Sequence, residues 1–227
     1  MRHIAGIVCG LVISAQALAV GIADLSSKDT ASGIKEALSK GAEVAVSQLG
    51  KSNGFMGNAR VKIPLPDSLQ QVEGMMRQFG MGKQADELVE TMNRAAESAV
   101  VEAKPILLNA VKGMSFDDAK AILSGGDDAA TQYFKRKTSA PIGEKFLPIV
   151  KKATAKVQLA DKYNQYAGKA AKFGLVDAKD ANLDAYVTQK TLDGLYLMIA
   201  EQEKSIRKDP VGAGSSMLQK VFGAIGK

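Results

Sequence analysis

The segment "LDAYVTQKTLDGLYLMIAEQEKSIRK", residues 183–208, constrains the fold more than any other. Its flanks carry charge, but at its centre, "LYLMIA", apolar residues fall on every side of a helix. A helix that is hydrophobic all round must be surrounded. A chain holding this segment therefore builds a bundle with that helix inside, and its other helices supply the cover.

The cover is legible as helical periodicity. "IKEALSKGAEVAVSQLG" places Ile34, Ala37, Leu38, Ala42, Ala45, Val46 and Leu49 near helical spacing and ends at Gly50. "KSNGFMGN" reads as a loop. "ARVKIPLP" alternates Val61, Ile63 and Leu65 with Arg60 and Lys62, and Pro64 and Pro66 keep it out of any central strand. A short helix opens at Pro66-Asp67-Ser68 and runs through Phe79, and Gly80 and Gly82 break it. The pattern then predicts one long helix from Lys83 to Lys112, kinked at Pro105. Ser115 caps the next helix, with Asp118 at the capping-box position. "DDAATQYFKRK" predicts a helix with acids at its start and bases at its end. Ser139 then caps a separate helix with Pro141 in its first turn and a kink at Pro148. "LADKYNQYAGKAAKF" stops at Gly174, Asp180 caps the central helix, and Asp209-Pro210 ends it. The fold class expected is all-α, a bundle of about seven to eight helices with one short extended segment near 60–65.

The first residues, "MRHIAGIVCGLVISAQALAVG", have the basic start, apolar run and Ala-x-Ala site of a secretory signal peptide, with the cut after Ala19. The other reading is an uncleaved anchor, since the uncharged run continues through Ala23. Val8 before Cys9 argues against a lipoprotein signal. The domains expected are a signal peptide over 1–19, a polar leader over 20–32, a helical bundle over 33–209, and a Gly/Ser linker with an amphipathic helix over 210–227. Cleavage leaves about 208 of the 227 residues, enough for one domain. It removes His3 and Cys9, the only histidine and cysteine, and there is no tryptophan. The expected address is periplasmic or secreted, with stability drawn from the core rather than from disulfides.

This inventory closes several chemistries. Ser-His-Asp and Cys-His catalysis lack their base, zinc lacks its usual ligands, and no phosphate-cradling Gly motif is present. Neither a metal nor a cofactor is expected. The net charge is +6 and reads as spread along the chain. With no basic and aromatic cluster, nucleic acid is not an expected partner.

The blocks "NGFMGNARVKIPLP", "MNRAAESAVVEAKPI", "DAKAILSGGDDAATQYFKRKTS", "FLPIVKKAT" and "LDAYVTQKTLDGLYLMIAEQEKSIR" together resemble an exported bacterial family catalogued only as a domain of unknown function. The resemblance covers nearly all of the chain after the signal. It implies a helical envelope protein and supplies no activity and no catalytic residues.

Within "TMNRAAESAVVEAKP", residues 91–105, Leu88, Met92, Ala95, Ala96, Ala99, Ala103, Ile106, Leu107 and Ala110 share one helix face. Arg94 lies opposite, within reach of Glu90 and Glu97, and Asn93, Glu97 and Lys104 flank the apolar face. Two readings stay open: a solvated helix edge, or a polar network or ligand site. Burial of Glu97 would demand a cation, with Lys104 or Arg60 expected to supply it. Further binding candidates are Lys135, Arg136 and Lys137, read as a helix C-terminus or as an anion contact. In the tail, Met217, Leu218, Val221, Phe222 and Ile225 form one face, either docked on the bundle or facing a partner or membrane. Met75, Met76, Met81 and Met92 fill the core or line a cavity.

The function expected is a non-enzymatic envelope protein that binds an apolar, lipid-like ligand or a protein partner. One alternative is a carboxylate-dependent cell-wall glycan hydrolase or lyase. Glu97-Ser98 is similar to the Glu-Ser pair of helical lytic transglycosylases, a match two residues long. The other alternative is a purely structural oligomer.

Overall fold

A computed structural model describes residues 27–80, 82–174, 176–177 and 180–209. The signal peptide and the tail contacts, Met217 to Ile225, lie outside them, as do Met81 and the side chain of Met76. The described residues form an all-α bundle of eight helices and no strand: α1 Ser27–Gly50, α2 Asp67–Gln78, α3 Gly82–Val100, α4 Ala103–Lys112, α5 Phe116–Ser124, α6 Ala129–Thr154, α7 Gln158–Ala171 and α8 Leu183–Lys208. Among the described residues no helix is long and apolar enough to cross a membrane. Helix α1 begins inside the segment read as a polar leader.

Helix α8 is the central helix and packs against α6, α1, α3 and α7. Leu195, Tyr196, Met198 and Ile199 are buried, while Leu197 is 41 % exposed, so the all-apolar centre keeps one window to solvent. Its N-cap is Asn182, not Asp180: the Asn182 Oδ1 accepts from the Ala185 amide at 2.9 Å. Asn and Asp cap about equally well, so two candidates two residues apart cannot be ranked by type.

The long helix predicted over 83–112 is two helices. The chain turns at Val101-Glu102 and restarts at Ala103, with Pro105 in the first turn of α4. Continued through that point, the proline ring would meet the carbonyl of Val101. In a first turn its missing N–H would have had no acceptor anyway.

The reverse holds for α6, where two predicted helices are one of 26 residues. Ser139 is not a cap. Its hydroxyl donates to the Lys135 carbonyl at 2.7 Å, a back-bond that a continuous helix allows. Pro141 and Pro148 are seven residues apart, so both sit on the exposed side, where water reaches the carbonyls they leave unbonded. Two interior prolines cost about 6 kcal/mol together. Burial of Phe134, Ile142, Phe146 and Val150, spaced eight, four and four apart on one face, contributes roughly 6–12 kcal/mol and carries the helix through. Lys135, Arg136 and Lys137 consequently lie inside a helix rather than at its end.

Two local predictions hold as read. Ser115 Oγ accepts from the Asp118 amide at 3.0 Å and the Ser115 amide donates to Asp118 Oδ2 at 3.1 Å, a complete capping box. Val61, Ile63 and Leu65 point inward and Lys62 and Pro64 outward. That extended stretch belongs to a strap, residues 51–66, laid across α3 and α8. Phe55 of the strap is fully buried against Gly194 of α8, where a Cβ would lie 2.8 Å from the ring edge and 3.3 Å from Val61 Cβ. At Gly54 a Cβ would lie 2.2 Å from the Leu49 carbonyl oxygen, so only glycine fits.

Alanine normally stabilises a helix relative to glycine by about 1 kcal/mol. At position 194 the sign reverses, because a Cβ would force the fully buried Phe55 ring and Val61 to shift. Gly194→Ala is expected to lower stability by about 1–3 kcal/mol in urea unfolding, and a rise in the midpoint would show that the strap is loosely held.

Candidate functional site

Helix α3 has two working faces, and its sequence explains both. On the inner face the small residues Ala96 and Ala99 are fully buried, so neighbouring helices approach closely, and Ala95, 2 % exposed, stands at the edge between the two faces. Met92, also at 0 % exposure, fills that core rather than lining a cavity, and Met75 is exposed. Between this face and solvent stand Asn93 and Glu97, one turn apart, under the strap.

Asn93 is completely buried. Its Oδ1 accepts from the Ile63 amide at 2.8 Å, and its Nδ2 donates to the Ile63 carbonyl at 2.9 Å and to the Val89 carbonyl at 2.8 Å. The side-chain amide thus stands where a neighbouring strand would be, satisfying both backbone groups of one extended residue. Glu97 is 5 % exposed. Its Oε1 accepts from the Phe55 and Met56 amides, each at 3.1 Å, and its Oε2 from Arg94 at 2.8 Å. Arg94 continues to Asn53 Oδ1 at 3.0 Å and lies 3.7 Å from Glu90.

The reading of this stretch as a solvated helix edge is therefore wrong for Asn93 and Glu97. The cation expected for a buried Glu97 is also corrected. Arg94 supplies it from the same helix, whereas Lys104 pairs with Glu43 of α1 at 3.1 Å and Arg60 pairs with Glu201 of α8. Lys135, Arg136 and Lys137 form a separate exposed patch, with the Lys135 Nζ 5.9 Å from the centre of the Tyr196 ring. Of the predicted site residues, the structure joins Asn93, Arg94 and Glu97 and leaves the others apart.

Burial raises the pKa of Glu97, but the Arg94 hydrogen bond, with the Met56 and Phe55 amides, outweighs it and holds the carboxyl below the usual carboxylate range. A general acid in glycan cleavage needs the opposite shift and a free oxygen. Glu97 has neither, and its role is to anchor the strap.

The outer face of α3 lines an open groove of about 450 Å³ against the C-terminal part of α6 and the turn that follows it. Thr91, Ala95, Ile149, Ala153 and Val157 make its floor. Glu87 and Glu90 form one rim, Lys152 and Lys156 the other. Neither lysine has an ion-pair partner among the described residues, nor does Glu87. Helix periodicity alone could have put Glu87, Glu90 and Arg94 on one face. The lysines come from an element about 60 residues away, and no local signal joins them. A second arrangement also escaped the sequence reading. Glu203 of α8 accepts from the amides of Ala130 and Thr131, each at 2.9 Å, and from Arg207 at 2.9 Å. It caps α6, whose own Asp128 makes no side-chain cap.

Asn93→Ala leaves the Ile63 N–H and C=O buried without partners and is expected to cost roughly 2–4 kcal/mol in chemical denaturation. The lowered pKa of Glu97 means that its stabilisation is present above the ordinary carboxylate pKa and lost as pH falls through the lower folded value. The stability gap between the wild type and Glu97→Gln should therefore be about 2–4 kcal/mol at neutral pH and shrink below about pH 4. A gap that does not change with pH would mean that the charge is not what holds the strap.

The chain belongs to the family described as "Protein of unknown function (DUF4197)", which matches residues 24–223. No curated protein and no solved structure matches it.

Proposed function

We propose that this is an exported, non-enzymatic binding protein whose α3–α6 groove takes a lipid-like amphiphile with a zwitterionic head. The observation that carries the reading is the pair of opposed rims. Lys152 and Lys156 face Glu87 and Glu90 across an apolar floor, and the two lysines have no ion-pair partner among the described residues. Such rims suit a molecule bearing phosphate and ammonium a few ångströms apart, with its first methylenes on Ile149 and Val157. The volume, about 450 Å³, lies within the range of small-molecule sites and fits a head and short tail rather than a whole lipid.

Of the helix face around Ala95–Ala103, the other place for an apolar ligand, only Ala95 borders the groove; Ala96, Ala99 and Ala103 are fully buried in the core. Export rests on the basic start, apolar run and Ala17-Leu18-Ala19 of the first 19 residues. The non-enzymatic reading rests on Glu97, whose two oxygens are both engaged.

The test is titration with dihexanoyl phosphatidylethanolamine below its micelle concentration, followed by amide chemical shifts. Shifts should cluster at Thr91, Ala95, Ala153 and Val157. Lys152→Glu with Lys156→Glu should weaken binding by about ten-fold or more, since each exposed charge contact contributes up to about 1 kcal/mol and reversal doubles the change. Shifts elsewhere, or undiminished binding by the variant, would reject the groove.

A further inference from the structure

The charge is not spread along the chain. Residues 151–172 contain six lysines and one aspartate, a surplus of five in a protein whose net charge is +6. Most of this segment is α7, which is held on the bundle by one side. Ala160, Tyr163 and Ala167 are buried, and the Tyr163 hydroxyl is shared with Ser68 at 3.0 Å and the Asp180 carbonyl.

The other side is unusual for a solvated helix. Tyr166 is 68 % exposed and Phe173, in the turn that continues α7, is 81 % exposed. At 100° per residue, Tyr166, Phe173, Lys162 and Lys169 fall within about 60° of one another. The lone acid, Asp161, lies about 140° from Tyr166. Lys162, Lys169 and Lys172 make no ion pair among the described residues. Aromatic rings flanked by lysines on one fixed helix face form the pattern of an interfacial contact, rings entering the headgroup layer and ammonium groups meeting lipid phosphate.

We infer that α7 is a peripheral docking helix for an anionic phospholipid surface, with Tyr166 and Phe173 inserted and Lys162 and Lys169 on the headgroups. This is independent of the groove: monomeric lipid tests that site, and vesicle partition tests this one.

The experiment is co-sedimentation of the full chain with phosphatidylcholine vesicles containing about 30 % phosphatidylglycerol, and with pure phosphatidylcholine. Partition should favour the anionic vesicles and fall between about 0.05 M and 0.5 M salt. Lys162→Glu with Lys169→Glu, and separately Tyr166→Ser with Phe173→Ser, should each reduce it by about ten-fold or more, at about five-fold per lysine. All four side chains are exposed, so helical circular dichroism should be unchanged. Equal partition to neutral vesicles, no partition to either, or wild-type partition by either variant would overturn the assignment. The last result would place the contact elsewhere on the chain.

Discussion

The bundle depends on a backbone that has no sheet to join. Residues 51–66 cross α3 and α8 in turns and extended conformation, and they bury Phe55, Val61, Ile63 and Leu65. Those side chains cannot be buried without taking peptide groups with them, and a buried peptide group without a partner costs about 1–3 kcal/mol. Asn93 and Glu97 remove that cost at Ile63, Phe55 and Met56. The fit of Phe55 on Gly194, and the Tyr186 hydroxyl donated to the Pro64 carbonyl at 3.1 Å, need the strap held in that register.

The same device recurs on α8. Glu203 takes two backbone N–H groups from the start of α6, as Glu97 takes two from the strap, and each carboxylate has an arginine on its own helix, Arg207 one turn after and Arg94 one turn before. A charged acceptor makes stronger bonds to amides than a neutral one. Its own burial is tolerable only with a nearby cation, and a cation on the same helix arrives already positioned. Arg207 also donates to the Ile122 carbonyl at 2.8 Å, so one ion pair ties α5, α6 and α8 together.

What the sequence made legible follows from range. The central helix, the inward alternation of Val61, Ile63 and Leu65 and the Ser115–Asp118 box are local patterns, and they stand in the structure, although the helix is capped by Asn182 rather than Asp180 and exposes Leu197. The family resemblance, too, was carried by local blocks, and the match over 24–223 agrees with it. Errors arose where one residue type serves two backbones. Pro105 looked like a kink and opens a helix, whereas Ser139 and Pro141 looked like an opening and lie within a helix. Local sequence cannot choose, because the decision rests on whether apolar burial on the far side outweighs the proline. The partners of Glu97 and Glu203 were beyond reach for a different reason. They are peptide groups 41–42 and 72–73 residues away, and a backbone amide carries no mark in the sequence.

The division of α3 into two faces would decide which cation a ligand of the proposed groove meets. Arg94 lines the groove and also bonds Glu97, so an incoming anion and the strap anchor compete for it. The contest is unequal. The Glu97 side chain is 7 % exposed and carries a charge that burial would leave uncompensated, whereas an anion in an open groove keeps much of its water. Giving up Arg94 would therefore cost the protein more than the groove contact returns. Arg94 would act as a fixed wall, leaving Lys152 of α6 and Lys156 of the turn after it as the cations for the proposed ligand. The polar residues that stand out in α3 hold the fold, and the proposed binding would fall to Lys152 and Lys156, which the sequence did not single out.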